Sequence, residues 1–109
     1  MADYKVRVTE YALNQMMETV QYIKVELDAP VTAKRWLDEM KKQIAGLEFM
    51  PERAPLVSEE KWRSQGIRKL TVKNYLVYFR VDDSDRTVWI TAVVNSRRSQ
   101  PEQLEAMPL

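Results

Sequence analysis

Residues 67–94 read Ile67-Arg-Lys-Leu-Thr-Val-Lys-Asn-Tyr-Leu-Val-Tyr-Phe-Arg-Val-Asp-Asp-Ser-Asp-Arg-Thr-Val-Trp-Ile-Thr-Ala-Val-Val94. Short runs rich in β-branched and aromatic residues are separated by Lys73-Asn74 and by Asp82-Asp83-Ser84-Asp85, which are turn formers. The stretch predicts three strands over 67–73, 75–81 and 87–94, joined by connections too short for anything but an antiparallel meander. On the first of these, Leu70 and Val72 share one face with Arg68 at its rim. Lys69 and Lys73 lie on the other, which is expected to be open and basic with nothing apolar over it.

Upstream the period changes. Residues 3–8, Asp-Tyr-Lys-Val-Arg-Val, alternate with period two and predict a short strand with Tyr4, Val6 and Val8 inward and Lys5 and Arg7 toward water. Thr9 suits an N-cap, and Leu13, Met16, Met17, Val20, Ile23 and Leu27 then recur at three- and four-residue steps, the stripe of a helix over roughly 10–27. Pro30 suits the first turn of a second helix, whose stripe is Ala33, Trp36, Leu37, Met40, Ile44 and Leu47 and which Pro51 closes. The two helices form a hairpin over 10–49. Residues 51–65 read as a long loop, and the end of the chain as a helical turn or a tail. Neither a helical hairpin nor a single sheet buries its apolar face alone. The expected class is therefore α+β: an N-terminal strand and helical hairpin packed on one face of a small twisted antiparallel sheet, one domain over 1–109.

The chain has 109 residues, no cysteine and no histidine. It therefore lacks thiol nucleophiles, Cys-based zinc sites and the commonest neutral-pH general base. No cofactor or metal is implied. No apolar run is long enough to span a bilayer, and the first residues lack the apolar segment of a signal peptide, so a cytoplasmic location is expected. The net charge of +1 hides an asymmetry, because residues 61–100 carry nine basic and three acidic side chains. A cationic segment of this kind suits a phosphate-bearing or acidic partner.

The order strand, helical hairpin, Pro-bearing loop, "IRKLTVKNYLVYFRVDD" and the strand end Val94-Asn95-Ser96-Arg97-Arg98 resembles the RelE/ParE superfamily of bacterial type II toxins. The resemblance implies a toxin that a cognate antitoxin holds inactive in a hetero-oligomer. It also implies one of two targets: mRNA on the ribosome, cut without metal by RelE-like members, or DNA gyrase, poisoned without hydrolysis by ParE-like members. A degenerate, non-toxic binding domain is the third reading. By resemblance to the nucleases, Lys69 and Arg97 are the candidate catalytic residues, and Arg68, Lys73, Arg80, Asn95 and Arg98 the candidate contacts to RNA or another target. Leu76 stands where the nucleases carry an arginine after the strand tyrosine, and no tyrosine follows Tyr78. An arginine cannot act as base, and a lysine does so only with a lowered pKa. Ribosome-dependent cleavage stands slightly ahead, on the strength of the basic sheet.

Overall fold

The computed structural model describes residues 3–97, 102 and 105–107. Strand β1 (Lys5–Val8) leads into α1 (Glu10–Gln21), which continues as a π-helical turn at Tyr22–Glu26. Helix α2 (Pro30–Ala45) returns antiparallel to it, and 3₁₀ turns at Gly46–Glu48 and Pro51–Arg53 open the loop. A short α3 (Glu60–Arg63) precedes β2 (Arg68–Val72), β3 (Tyr75–Asp82) and β4 (Thr87–Asn95).

The local signals act as expected. Thr9 Oγ1 accepts the Ala12 N–H at 3.2 Å, and Pro30 occupies the first turn of α2. Lys73 adopts φ 55° in the two-residue turn that carries β2 into β3. Lys73 therefore belongs to the turn, not to the strand face that period two assigned it.

The sheet order is β1-β4-β3-β2, with β2, β3 and β4 antiparallel. β1 departs from the expected pattern by joining β4 in parallel, Lys5 opposite Thr87 through Val8 opposite Ile90. The helical hairpin lies between β1 and its partner, so the chain enters the sheet again along the same direction, as a crossover does. Between Tyr78–Ala92 and Phe79–Ile90 the ladder slips by one, leaving Thr91 without a partner on β3. Thr91 Oγ1 donates to the Tyr78 carbonyl at 3.2 Å, which ties the bulge down. The bulge resets the alternation: Val88 and Ile90 before it, and Val93 after it, all face the helices.

The main core fills the space between helices and sheet. Met16, Ile23, Trp36, Met40, Ile44 and Leu47 meet Val72, Val77, Phe79, Val88, Ile90 and Val93. Trp36 stands edge-on to Tyr75 with ring centroids 5.0 Å apart. Such a pair adds about 0.5–1.5 kcal/mol beyond its area.

The opposite face is not open. Leu76, Tyr78, Ala92 and Val94 form a second core with Val57, Trp62, Ile67 and Met107. This corrects the expectation of an uncovered basic face. The loop 51–65 supplies the cover: α3 carries Trp62 inward, and residues 55–57 lie along the outer edge of β2. There the Lys69 N–H donates to the Pro55 carbonyl and the Val57 N–H to the Ile67 carbonyl, both at 3.0 Å. Lys61 Nζ holds Glu105 at 3.0 Å, next to the point where Met107 enters the second core. Among the described residues no helix is long and apolar enough to cross a membrane.

Candidate functional site

Of the candidate residues, the second sheet face carries Lys69 and Arg80. It alternates with the helix-facing set along each strand, so Lys69 and Thr71 of β2, and Leu76, Tyr78 and Arg80 of β3, point the same way. Lys69 sits opposite Tyr78 and is partly buried beside the second core. Burial first, and Glu59 second, push the Tyr78 phenol up to about 12, so this ring stays neutral. The middle of the face is apolar and packed; the cations stand around it.

The other candidate residues are dispersed. Arg68 lies on the helix-facing side, opposite Phe79. Its Nη1 donates to the Ala54 carbonyl at 2.7 Å and the Glu52 carbonyl at 3.2 Å, which fastens the loop to β2. Lys73 is exposed at the β2–β3 turn. Asn95 ends β4 opposite Tyr75, and its Oδ1 accepts the Arg97 N–H at 2.9 Å. The Ser96 N–H reaches back to the Asn74 carbonyl at 2.8 Å, so Arg97 follows a tight exit beside the β2–β3 turn and is exposed. Arg98 lies outside the described residues.

Lys69 and Arg97 are not brought side by side. Lys69 is in register with Tyr78 and Ala92, two strands from β4 and three residues short of Asn95. Strand spacing and rise put the Lys69 and Asn95 backbones about 14 Å apart. Leu76, Val94 and their cover occupy the ground between them.

Two concavities flank the sheet. One, of about 360 Å³, is lined by Gln15, Glu18, Thr19 and Tyr22 of the first helical stretch and by Tyr75, Val93, Val94 and Asn95. The other, of about 290 Å³, lies between β1 and the hairpin and is lined by Val6, Val8, Leu13, Met16, Ile44 and Ala45, with Lys41 and Glu48 at its rim. Leu13 of this lining is 48% exposed, and Met17, one turn further along α1, is 52% exposed. Large apolar side chains displayed together in this way mark a surface meant to be covered.

Sequence reading did not single out Arg7 and Trp89. Trp89 pairs with Arg7 on one side and with Arg80 on the other, all three on the second face. Period two in residues 3–8 had turned Arg7 toward water, but the strand's partner was not legible.

The sequence pattern of a family described as the ParE toxin of type II toxin–antitoxin systems matches residues 6–100. No curated protein sequence matches the chain. Among solved structures, the chromosomal ParDE toxin–antitoxin system of P. aeruginosa superposes with a TM-score of 0.71 at 20% identity, over 85% of this chain and 96% of that one. The RelBE2 toxin–antitoxin complex of Mycobacterium tuberculosis gives 0.60 at 21%, over 87% and 93%. A double arginine-to-alanine variant of E. coli RelE in the free state gives 0.60 at 17%, over 94% and 93%. At these identities the structural likeness speaks for the fold alone.

Proposed function

The chain belongs to the ParE toxin family of type II toxin–antitoxin systems, and from that premise we propose that it arrests growth by binding DNA gyrase, with no hydrolytic step of its own. The observation that carries this reading is the second core. Metal-free RNA cleavage needs a base for the 2′-hydroxyl, cations on the phosphate and an acid for the leaving oxygen, all within hydrogen-bond reach of one phosphodiester. Here the face that carries Lys69 is filled by Leu76, Tyr78, Ala92 and Val94 under Trp62 and Met107. A scissile phosphate has no room between Lys69 and the end of β4. Leu76, where the nucleases carry an arginine by the resemblance, is 4% exposed and serves this core. In this reading Lys69, Lys73, Arg80, Arg97 and Arg98 act through charge, as contacts to the target.

The partner that restrains the toxin is a cognate antitoxin. The apolar groove between β1 and the helices, continued by Leu13 and Met17, suits a segment that lays apolar anchors into it. The glutamates along the chain's first half leave the basic residues of the second half to meet acidic side chains of the same partner.

The test compares the two targets directly. The purified chain is added to gyrase with relaxed plasmid, and separately to ribosomes programmed with a defined mRNA. Lost supercoiling with intact mRNA is the expected result. Cut mRNA with undisturbed supercoiling would overturn the reading in favour of ribosome-dependent cleavage.

A further inference from the structure

We propose that Arg7, Trp89 and Arg80 form a stacking and phosphate-binding site for an unpaired nucleotide of a DNA strand. The three residues belong to three neighbouring strands and stand in one row across the second face: Arg7 of β1 opposite Trp89, and Trp89 of β4 opposite Arg80 of β3. At one strand spacing per step, the two arginine backbones lie about 10 Å apart with the indole midway. Trp89 is partly exposed although Val88 and Ile90 on either side of it are fully buried. Arg7 is exposed and Arg80 partly so, and among the described residues neither guanidinium has an ion pair or hydrogen-bond partner. Lys5, two residues from Arg7 on the same face, adds a further cation.

The acid nearest along β3 is Asp82, and it is already engaged. Its Oδ1 accepts from Ser84 Oγ at 2.7 Å, from the Ser84 N–H at 3.1 Å and from the Asp85 N–H at 3.3 Å. The Ser84 and Asp85 hydrogen bonds first, and the Arg80 charge last, hold the Asp82 carboxyl below its usual range, so Arg80 feels this acid without bonding to it. Among the described residues the row thus presents two guanidinium forks that no hydrogen bond occupies, with a large flat ring between them.

That chemistry selects the ligand. Carboxylates of an acidic peptide satisfy arginines but leave the indole uncovered. A base stacked on Trp89 covers it, and the same strand carries a phosphate on each side of that base, within reach of flexible arginine arms. A base is free to stack only where the duplex is open. The choice of DNA over RNA rests on the gyrase reading above, since gyrase opens DNA in its working cycle. The row is at the opposite end of β4 from Asn95 and Arg97, and of the residues that the nuclease resemblance picked out only Arg80 belongs to it.

The test is fluorescence anisotropy of a labelled single-stranded oligodeoxynucleotide against the full chain, with the matching RNA and poly-glutamate as competitors. Binding is expected, with each of Arg7→Ala, Arg80→Ala and Trp89→Ala weakening it by about tenfold. Trp89→Phe retains most of the affinity, which separates stacking from misfolding. The salt slope falls by about 0.7 for each arginine removed, the value for a single strand. Affinity that does not respond to these variants overturns the site. Preferential binding of RNA overturns the choice of strand, and poly-glutamate displacing the DNA through the same residues overturns the choice of a nucleotide. DNA binding with undisturbed supercoiling would reject the gyrase reading and leave the site standing. Lost supercoiling without any oligonucleotide binding would do the reverse.

Discussion

Gln15 completes the sheet where β1 stops. Its Oε1 accepts the Val93 N–H at 2.7 Å, across the edge of β4 that no strand pairs. β1 reaches only to Ile90, and the Thr9 N–H makes the last main-chain bond to that residue's carbonyl at 3.0 Å. Beyond it the chain has turned into α1, so a glutamine side chain takes over the work of a strand. An unpaired edge is a template for another chain, and covering it with a side chain blunts that hazard.

Gln15→Leu should therefore leave a buried donor unpaired and destabilise the fold by about 1–3 kcal/mol. Urea unfolding checks this against Gln15→Glu, whose carboxylate keeps an acceptor in place. Equal stability of the leucine variant and the parent would show that the bond contributes nothing.

The second core makes a separate prediction. Trp62 is 6% exposed and lies among Val57, Ile67, Tyr78 and Met107. Trp62→Ala should cost about 3–5 kcal/mol, the range for large aromatic truncations in a core. The same substitution in a surface lid would cost almost nothing, so thermal unfolding distinguishes the two.

On the gyrase reading, Lys69→Arg preserves charge and should leave growth inhibition nearly unchanged. A proton-transfer role for Lys69 predicts the contrary, because an arginine does not titrate. Growth curves after controlled expression of each variant, with folding checked by circular dichroism, decide between them.

Leu13→Asp combined with Met17→Asp should abolish the complex with the antitoxin while leaving the free toxin folded, since both side chains are about half exposed. Gel filtration of the co-expressed pair gives the answer. A stable complex of the doubly charged variant would move the docking surface off α1.

Tyr4 sets an alkaline limit. Its phenol lies 2.9 Å from Asp83 Oδ1 and 3.1 Å from Glu52 Oε1, and Arg86 stacks over the ring at 4.1 Å. The Asp83 hydrogen bond first, then burial and Glu52, raise it from 10.0 to about 12. The neutral form is thus favoured in the fold. Its contribution is complete below pH 10 and is lost as pH rises toward 12, where the unfolded chain gives up the proton first. Tyr4→Phe should flatten the fall in stability over that window, and absorbance of the phenolate during unfolding measures it.

Much of the architecture was legible locally. The three- and four-residue stripes of 10–49, Thr9 as a cap, Pro30 as a first-turn residue and the meander of 67–94 depend on spacing and on intrinsic turn chemistry, which act over a few residues. The family resemblance was carried by the same segments. The long-range decisions were not legible. Nothing within residues 3–8 states that β1 runs parallel to β4, since that follows from where the hairpin returns the chain. Nor does period two in 87–94 disclose Thr91 as a bulge, because Val88, Ile90, Ala92 and Val94 share one parity and read as one unbroken apolar face. Only pairing with Tyr78 and Phe79 fixes it. The cover over Lys69 was hidden for a similar reason: Val57, Trp62 and Met107 sit in segments whose apolar residues follow no strand or helix period, and they become a core only when the loop and the chain end fold back on the sheet. Composition and spacing thus determine which elements form, and tertiary structure decides which face is closed, which edge needs Gln15, and that Arg7 and Arg80 stand on either side of Trp89.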